Sequence, residues 1–166
     1  LTLSVSGCGT GTHRVIAMDD LRSTTLNSTQ TGARWVLAVF LMVAGLGHFV
    51  SREAFAAQVP PALPFPDFIV IASGVVEIGL AIALLGLARH RAAVGWIVAL
   101  FFVLVFPGNL AQFFTRADAF GLDTDVARGV RLLFQPLLVV WALWCTGAWQ
   151  TWRGSRAATP PHTPPS

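Results

Sequence analysis

Four apolar segments, residues 35–50, 68–88, 92–114 and 132–149, contain a single charged residue, Glu77, and every other charge in the chain lies outside them. Segments of roughly 17 to 25 apolar residues match the length of helix that crosses a hydrocarbon core about 30 Å thick. The chain therefore reads as all-α, a polytopic membrane protein whose four transmembrane helices form one bundle. A soluble four-helix bundle would need a polar face on every helix at 3.6-residue spacing. Trp96 to Phe106 runs WIVALFFVLVF, apolar through about three turns, and offers no such face. A transmembrane β-barrel is excluded because its strands alternate polar and apolar residues.

The charges that remain carry topology rather than a nucleic-acid surface. All eleven basic residues are arginine, with a formal net charge of +3. They scatter over the ends of the apolar segments instead of clustering among aromatics on one face, as a phosphate-binding surface would require. With the N-terminus inside, Arg14, Arg22, Arg34, Arg89, Arg91, Arg153 and Arg156 lie on the inner side. The loops at 51–67 and 115–131 then hold Arg52, Arg116, Arg128 and Arg131 on the outer side. This excess predicts both termini in the cytoplasm and the chain in the cytoplasmic membrane, with the lipid bilayer as its first partner. Trp35, Trp149 and Trp152, at segment ends, read as interface anchors.

Residues 1–33 are rich in Ser, Thr and Gly without an apolar run and are expected to form a flexible arm. The chain opens at Leu1 and its first methionine is Met18, so the stretch before Met18 reflects either an alternative start codon or a start upstream of the natural one. Val5-Ser6-Gly7-Cys8 resembles a lipoprotein cleavage box, but too few residues precede it for a signal sequence. The first apolar segment is thus expected to act as the uncleaved insertion signal. Residues 34–149 form the membrane domain, and the proline-rich stretch 150–166 is expected to be disordered. Pro60, Pro61, Pro64 and Pro66 exclude a continuous helix from the loop at 51–67. Asp118, Asp123 and Asp125 in the other loop do not complete a calcium-binding pattern.

The chemistry lies in the polar residues of the apolar segments. Counting about 1.5 Å per residue from the outer ends, His48 is about 3 Å deep, Gln135 about 5 Å, Asn109 about 8 Å and Glu77 about 14 Å, with Arg131 at the entrance. All five fall in the same half of the membrane, whichever way the protein is inserted. An ionisable residue near mid-membrane is expensive, faces the bundle interior and marks a functional site by default. Small residues beside it, Ser73, Gly74 and Ala81, and Ala44 and Gly45 beside His48, leave room for a partner helix. Two readings stand: a polar clasp that fastens the helices, or a site for a proton or a small amphipathic ligand. A metal site is not indicated, since His48 is the only histidine within a span. Cys145 lies toward the inner side and Cys8 in the arm, both away from the polar set. No catalytic-triad motif or phosphate-binding glycine loop is present, so nothing in the sequence specifies an enzyme.

The motifs GLGHFV (45–50), VPPALPFPDFIVIASGVVEIGLAIALL (59–85), FPGNL (106–110) and RLLFQPLLVVW (131–141) follow one another in the order seen in the DoxX-like family of small bacterial membrane proteins. The chain resembles that family from about residue 34 to 149. The resemblance implies a four-helix membrane bundle. It also implies a redox context, because founding members are linked to quinone-coupled sulfur oxidation and others to redox complexes. On this basis the chain is expected to be a membrane subunit or accessory protein of a quinone-linked redox complex, with a redox partner protein and a bound quinone. The alternative is a non-enzymatic scaffold or small-molecule transporter. The chain departs from a self-sufficient redox protein in having neither a CxxC pair nor a second redox domain.

Overall fold

The computed structural model describes residues 26–115 and 124–157, and these are helical throughout apart from turns and short connections. Four long helices, α1 (Ser28–Val50), α3 (Pro66–Gly86), α4 (Arg91–Thr115) and α5 (Asp125–Cys145), carry the apolar segments. Two short helices, α2 (Arg52–Ala56) and α6 (Ala148–Ala157), flank them, and a single 3₁₀ turn (Ala88–His90) joins α3 to α4. Each long helix is of a length and hydropathy that cross a membrane. The chain is a polytopic membrane protein, with four helices of that kind among the described residues.

The surface shows why the chain needs lipid. On α4, Val98 and Phe102 are buried, while Ile97, Leu100, Val103 and Leu104 on the other side are exposed. Similar apolar faces open outward on α1 (Val36, Val43) and α5 (Leu133, Val140). A water-soluble protein rarely exposes such continuous apolar surface. The interior is a continuous cluster from Leu37 and Leu41 of α1 through Leu80 and Leu84 of α3 to Val98 of α4 and Leu138 of α5.

The helices are not equally close. α1 packs mainly on α3, and α4 on α5, while contacts between these two pairs are sparse. The α1–α3 crossing is set by two glycines. A Cβ on Gly45 would lie 2.9 Å from the Gly74 carbonyl oxygen, and one on Gly74 would lie 3.0 Å from the Gly45 carbonyl oxygen. Backbone thus meets backbone, as small residues allow in membrane helix pairs. At the end that carries the described termini, Gln30 Nε2 donates to the Trp144 carbonyl of α5 at 3.0 Å. Gly95 of α4 also presses on Thr146 so closely that any side chain there would collide with its Oγ1. Gly147, at φ 70, turns the chain into α6.

Several boundaries differ from the sequence reading, among them the end of the segment 132–149, which breaks at Gly147 between α5 and α6. Residues 28–33, expected in the flexible arm, form the first turns of α1, where Gln30 Oε1 accepts from the Asn27 N–H at 3.1 Å. Residues 125–131, expected in a loop, are helical, because Thr124 caps the Ala127 N–H at 3.2 Å and Asp125 pairs with Arg128 at 3.0 Å. Residues 150–157, expected to be disordered, continue α6, on which Trp149 and Trp152 pack with ring centroids 5.1 Å apart. The arm up to residue 25 with Cys8, the loop residues Arg116, Asp118 and Asp123, and the proline-rich end from residue 158 lie outside the described residues.

Candidate functional site

At the end of the bundle opposite α6, the two helix pairs diverge around a cavity of about 830 Å³. His48, Glu77, Asn109, Arg131 and Gln135, all five residues singled out by the depth count, line it. Their depths need one correction. With α5 beginning at Asp125 instead of near residue 132, Arg131 is about 9 Å and Gln135 about 15 Å along the helix, and both line the cavity. The rest of the lining is mainly apolar and aromatic, including Phe40, Phe55, Phe101, Phe102 and Phe134.

The polar groups include two close couples, one on each pair of helices, and Arg131 of the second pair reaches across to Gln58, on the connection that follows α1. On the first pair, the Gly45–Gly74 crossing brings His48 beside Glu77, with Nδ1 3.4 Å from Oε2. The same Nδ1 is 2.9 Å from the Ala44 carbonyl. A carbonyl can only accept, so Nδ1 carries the proton and donates it there. Glu77 Oε2 is left without a hydrogen-bond partner although it is fully enclosed and the residue is 8% exposed. Glu77 faces the interior, as the cost of an ionisable group in lipid requires.

On the second pair, Gln135 Nε2 donates to the Phe102 carbonyl at 2.6 Å. That bond fixes the orientation of the amide, because only the NH₂ side can point at a carbonyl. Gln135 Oε1 therefore faces Asn109 and accepts from its Nδ2 at 2.7 Å. The sequence places a proline within two residues of each end of this bridge. Pro107 withholds the N–H that would close on the Val103 carbonyl, and Pro136 does the same toward Leu132. The helices are weakest as hydrogen-bonded ladders where their side chains bond across.

A third element was not legible in the sequence. The connection after α1, residues 51–65, folds over the cavity as a strap. Phe55 of α2 stacks on the His48 ring at 3.7 Å between centroids. Gln58 is buried, donates through Nε2 to the Ala54 carbonyl, and accepts from Arg131 at 2.5 Å. Phe65, at φ 59, turns the strap into α3 ahead of Pro66. The prolines indicated only that this stretch could not be one helix; a bond between residues 73 positions apart leaves no local pattern. Ser73, one turn before Glu77, completes the wall on α3.

The fold and site define a class: a small four-helix membrane protein with an apolar cavity at one end, into which a few convergent polar side chains project. The chain belongs to the family described as Domain of unknown function (DUF8561), whose family model matches residues 37–146. That span includes all of the cavity lining, from Phe40 to Leu138, and leaves out α6. No curated protein and no solved structure matches the chain.

Proposed function

We propose that this is a DoxX-like membrane subunit or accessory protein of a quinone-linked redox complex, and that its cavity receives the head group of a quinone-type molecule. The observation that carries the reading is Glu77, a buried carboxyl with an unpartnered oxygen that belongs to the wall of a roomy, largely apolar cavity. Buried polar groups normally find partners, and one left over beside a cavity is a place for a ligand to bond. A head group with polar atoms at its rim and an apolar ring and tail suits such a lining. With no thiol pair in the membrane domain, electrons come from a partner protein, and this chain supplies the binding site.

The scaffold or transporter reading is favoured by one feature, the close Gly45–Gly74 crossing, which would hold Glu77 and His48 together in a structural role. Thermal unfolding in mild detergent separates the two. A short-tailed benzoquinone should raise the melting temperature in proportion to the logarithm of its concentration, as a ligand that binds only the folded state does. His48→Ala should remove that rise while leaving a cooperative transition. Saturating benzoquinone without any rise, together with purification that yields no redox partner, would leave the scaffold or transporter reading as the better one.

The proposal includes an orientation. From the arginine excess, the termini and the Ala88–His90 turn lie in the cytoplasm, and the strap and cavity face outward from the cytoplasmic membrane. In a background lacking Cys8 and Cys145, Ala57→Cys on the strap should react with an impermeant thiol reagent in intact cells. His90→Cys should react only after lysis, and the reverse pattern overturns the orientation.

A further inference from the structure

We infer that Glu77 acts in its acid form as the hydrogen-bond donor to a ligand carbonyl, so that the cavity takes uncharged, carbonyl-headed lipophiles and rejects lipophilic cations. The inference rests on the ligand-binding reading above and assigns the chemistry of its deepest contact.

An ionised carboxylate accepts hydrogen bonds only, and its two oxygens need donors or a cation. From α1, His48 is the one basic side chain within 4.0 Å among the described residues, and its near nitrogen gives its proton to Ala44. From α5, Arg131 points to the strap and bonds Gln58. From α4, Asn109 gives one amide hydrogen to Gln135 and makes no hydrogen bond to Glu77. The ionised form would therefore stand buried without a donor, which is costly. The acid form has a proton to give and needs an acceptor, and the cavity is the free space beside it.

The opposite wall supplies a matching contact. Because Gln135 fixes Asn109 through one amide hydrogen, the second amide hydrogen of Asn109 remains for another acceptor at the cavity wall. Two donors in the wall of one cavity call for an uncharged head group with two carbonyl oxygens on opposite edges. A lipophilic cation meets neither, and would share the cavity with the Arg131 guanidinium.

The test is binding of two probes, decylbenzoquinone and tetraphenylphosphonium, to the full chain in nanodiscs, with Glu77→Gln and Glu77→Leu. Decylbenzoquinone should bind the native chain and tetraphenylphosphonium should not. Glu77→Gln, whose NH₂ still donates, should weaken quinone binding by about threefold or less, and Glu77→Leu by about tenfold or more. Infrared difference spectra with labelled glutamate should show a protonated carboxyl stretch that moves on binding and is lost in Glu77→Gln. If decylbenzoquinone does not bind the native chain, the quinone reading itself fails. If it binds but Gln and Leu weaken it equally, or the carboxyl stretch is absent, the quinone reading stands and the donor role is wrong. Tetraphenylphosphonium binding that depends on Glu77 would reverse the assignment to a carboxylate site for cations. Should Glu77→Leu fail to fold, the Gln variant and the infrared band decide alone.

Discussion

Gly74→Val should lower the stability of the folded chain by about 3 kcal/mol, and Gly79→Val on the same helix should change it by less than about 0.5 kcal/mol. The two sites differ in what a side chain would meet. At Gly74 the first added carbon lies 2.8 Å from His48 Cβ, 3.0 Å from the Gly45 carbonyl oxygen and 3.0 Å from the Phe49 ring. One of these is backbone, so α1 and α3 must separate, and separation also parts His48 from Glu77. At Gly79 nothing lies within 4 Å, because that face of α3 looks away from the bundle. Thermal or denaturant unfolding in detergent reads the contrast directly. Equal stability of the two variants would mean that α1 and α3 are not held at this crossing.

The second large effect is at Gln135. Gln135→Leu removes two bonds together, the one to the Phe102 carbonyl and the one from Asn109. Interhelical bonds in membrane proteins average only about 0.6 kcal/mol each, since unfolded helices in lipid find other partners. Here, however, an amide is also left in an apolar wall beside a carbonyl, and stranded groups cost about 1–3 kcal/mol. A loss of about 2 kcal/mol is expected. Adding Asn109→Leu should restore part of it, because removing both partners is cheaper than stranding one. A double-mutant cycle measures that recovery; strictly additive losses would show that the two amides are not coupled.

The parts of this architecture that depend on bulk burial in lipid were visible in the chain, and those that depend on single polar contacts were not. The α4 run from Trp96 to Phe106 announces a span without knowledge of its neighbours. The five cavity residues could be grouped because helical rise converts position into depth. The start of α5 was misplaced because Arg128 and Arg131 look like loop residues; each is held by a partner, Asp125 and Gln58 respectively. Thr124 followed by Asp125 is a helix-start signal that could have moved that boundary, and Asn27 with Gln30 could have done so for α1. Nothing local could have placed Gln58 over the cavity. Its role exists only once α2 has folded back and α5 has presented Arg131.

The division of the bundle into pairs has a mechanical consequence. Glycine contact and the His48–Glu77 approach lie inside one pair, and the amide bridge inside the other, so each pair is stiff in itself. The 3₁₀ turn that joins them is at the far end from the cavity. Two stiff arms joined at one end behave as tongs. A small rotation about that joint changes the width at the tips while the bonds inside each arm stay intact. Across the tips, the bond between Arg131 and Gln58 ties the second arm to the strap of the first, so widening the cavity strains this bond.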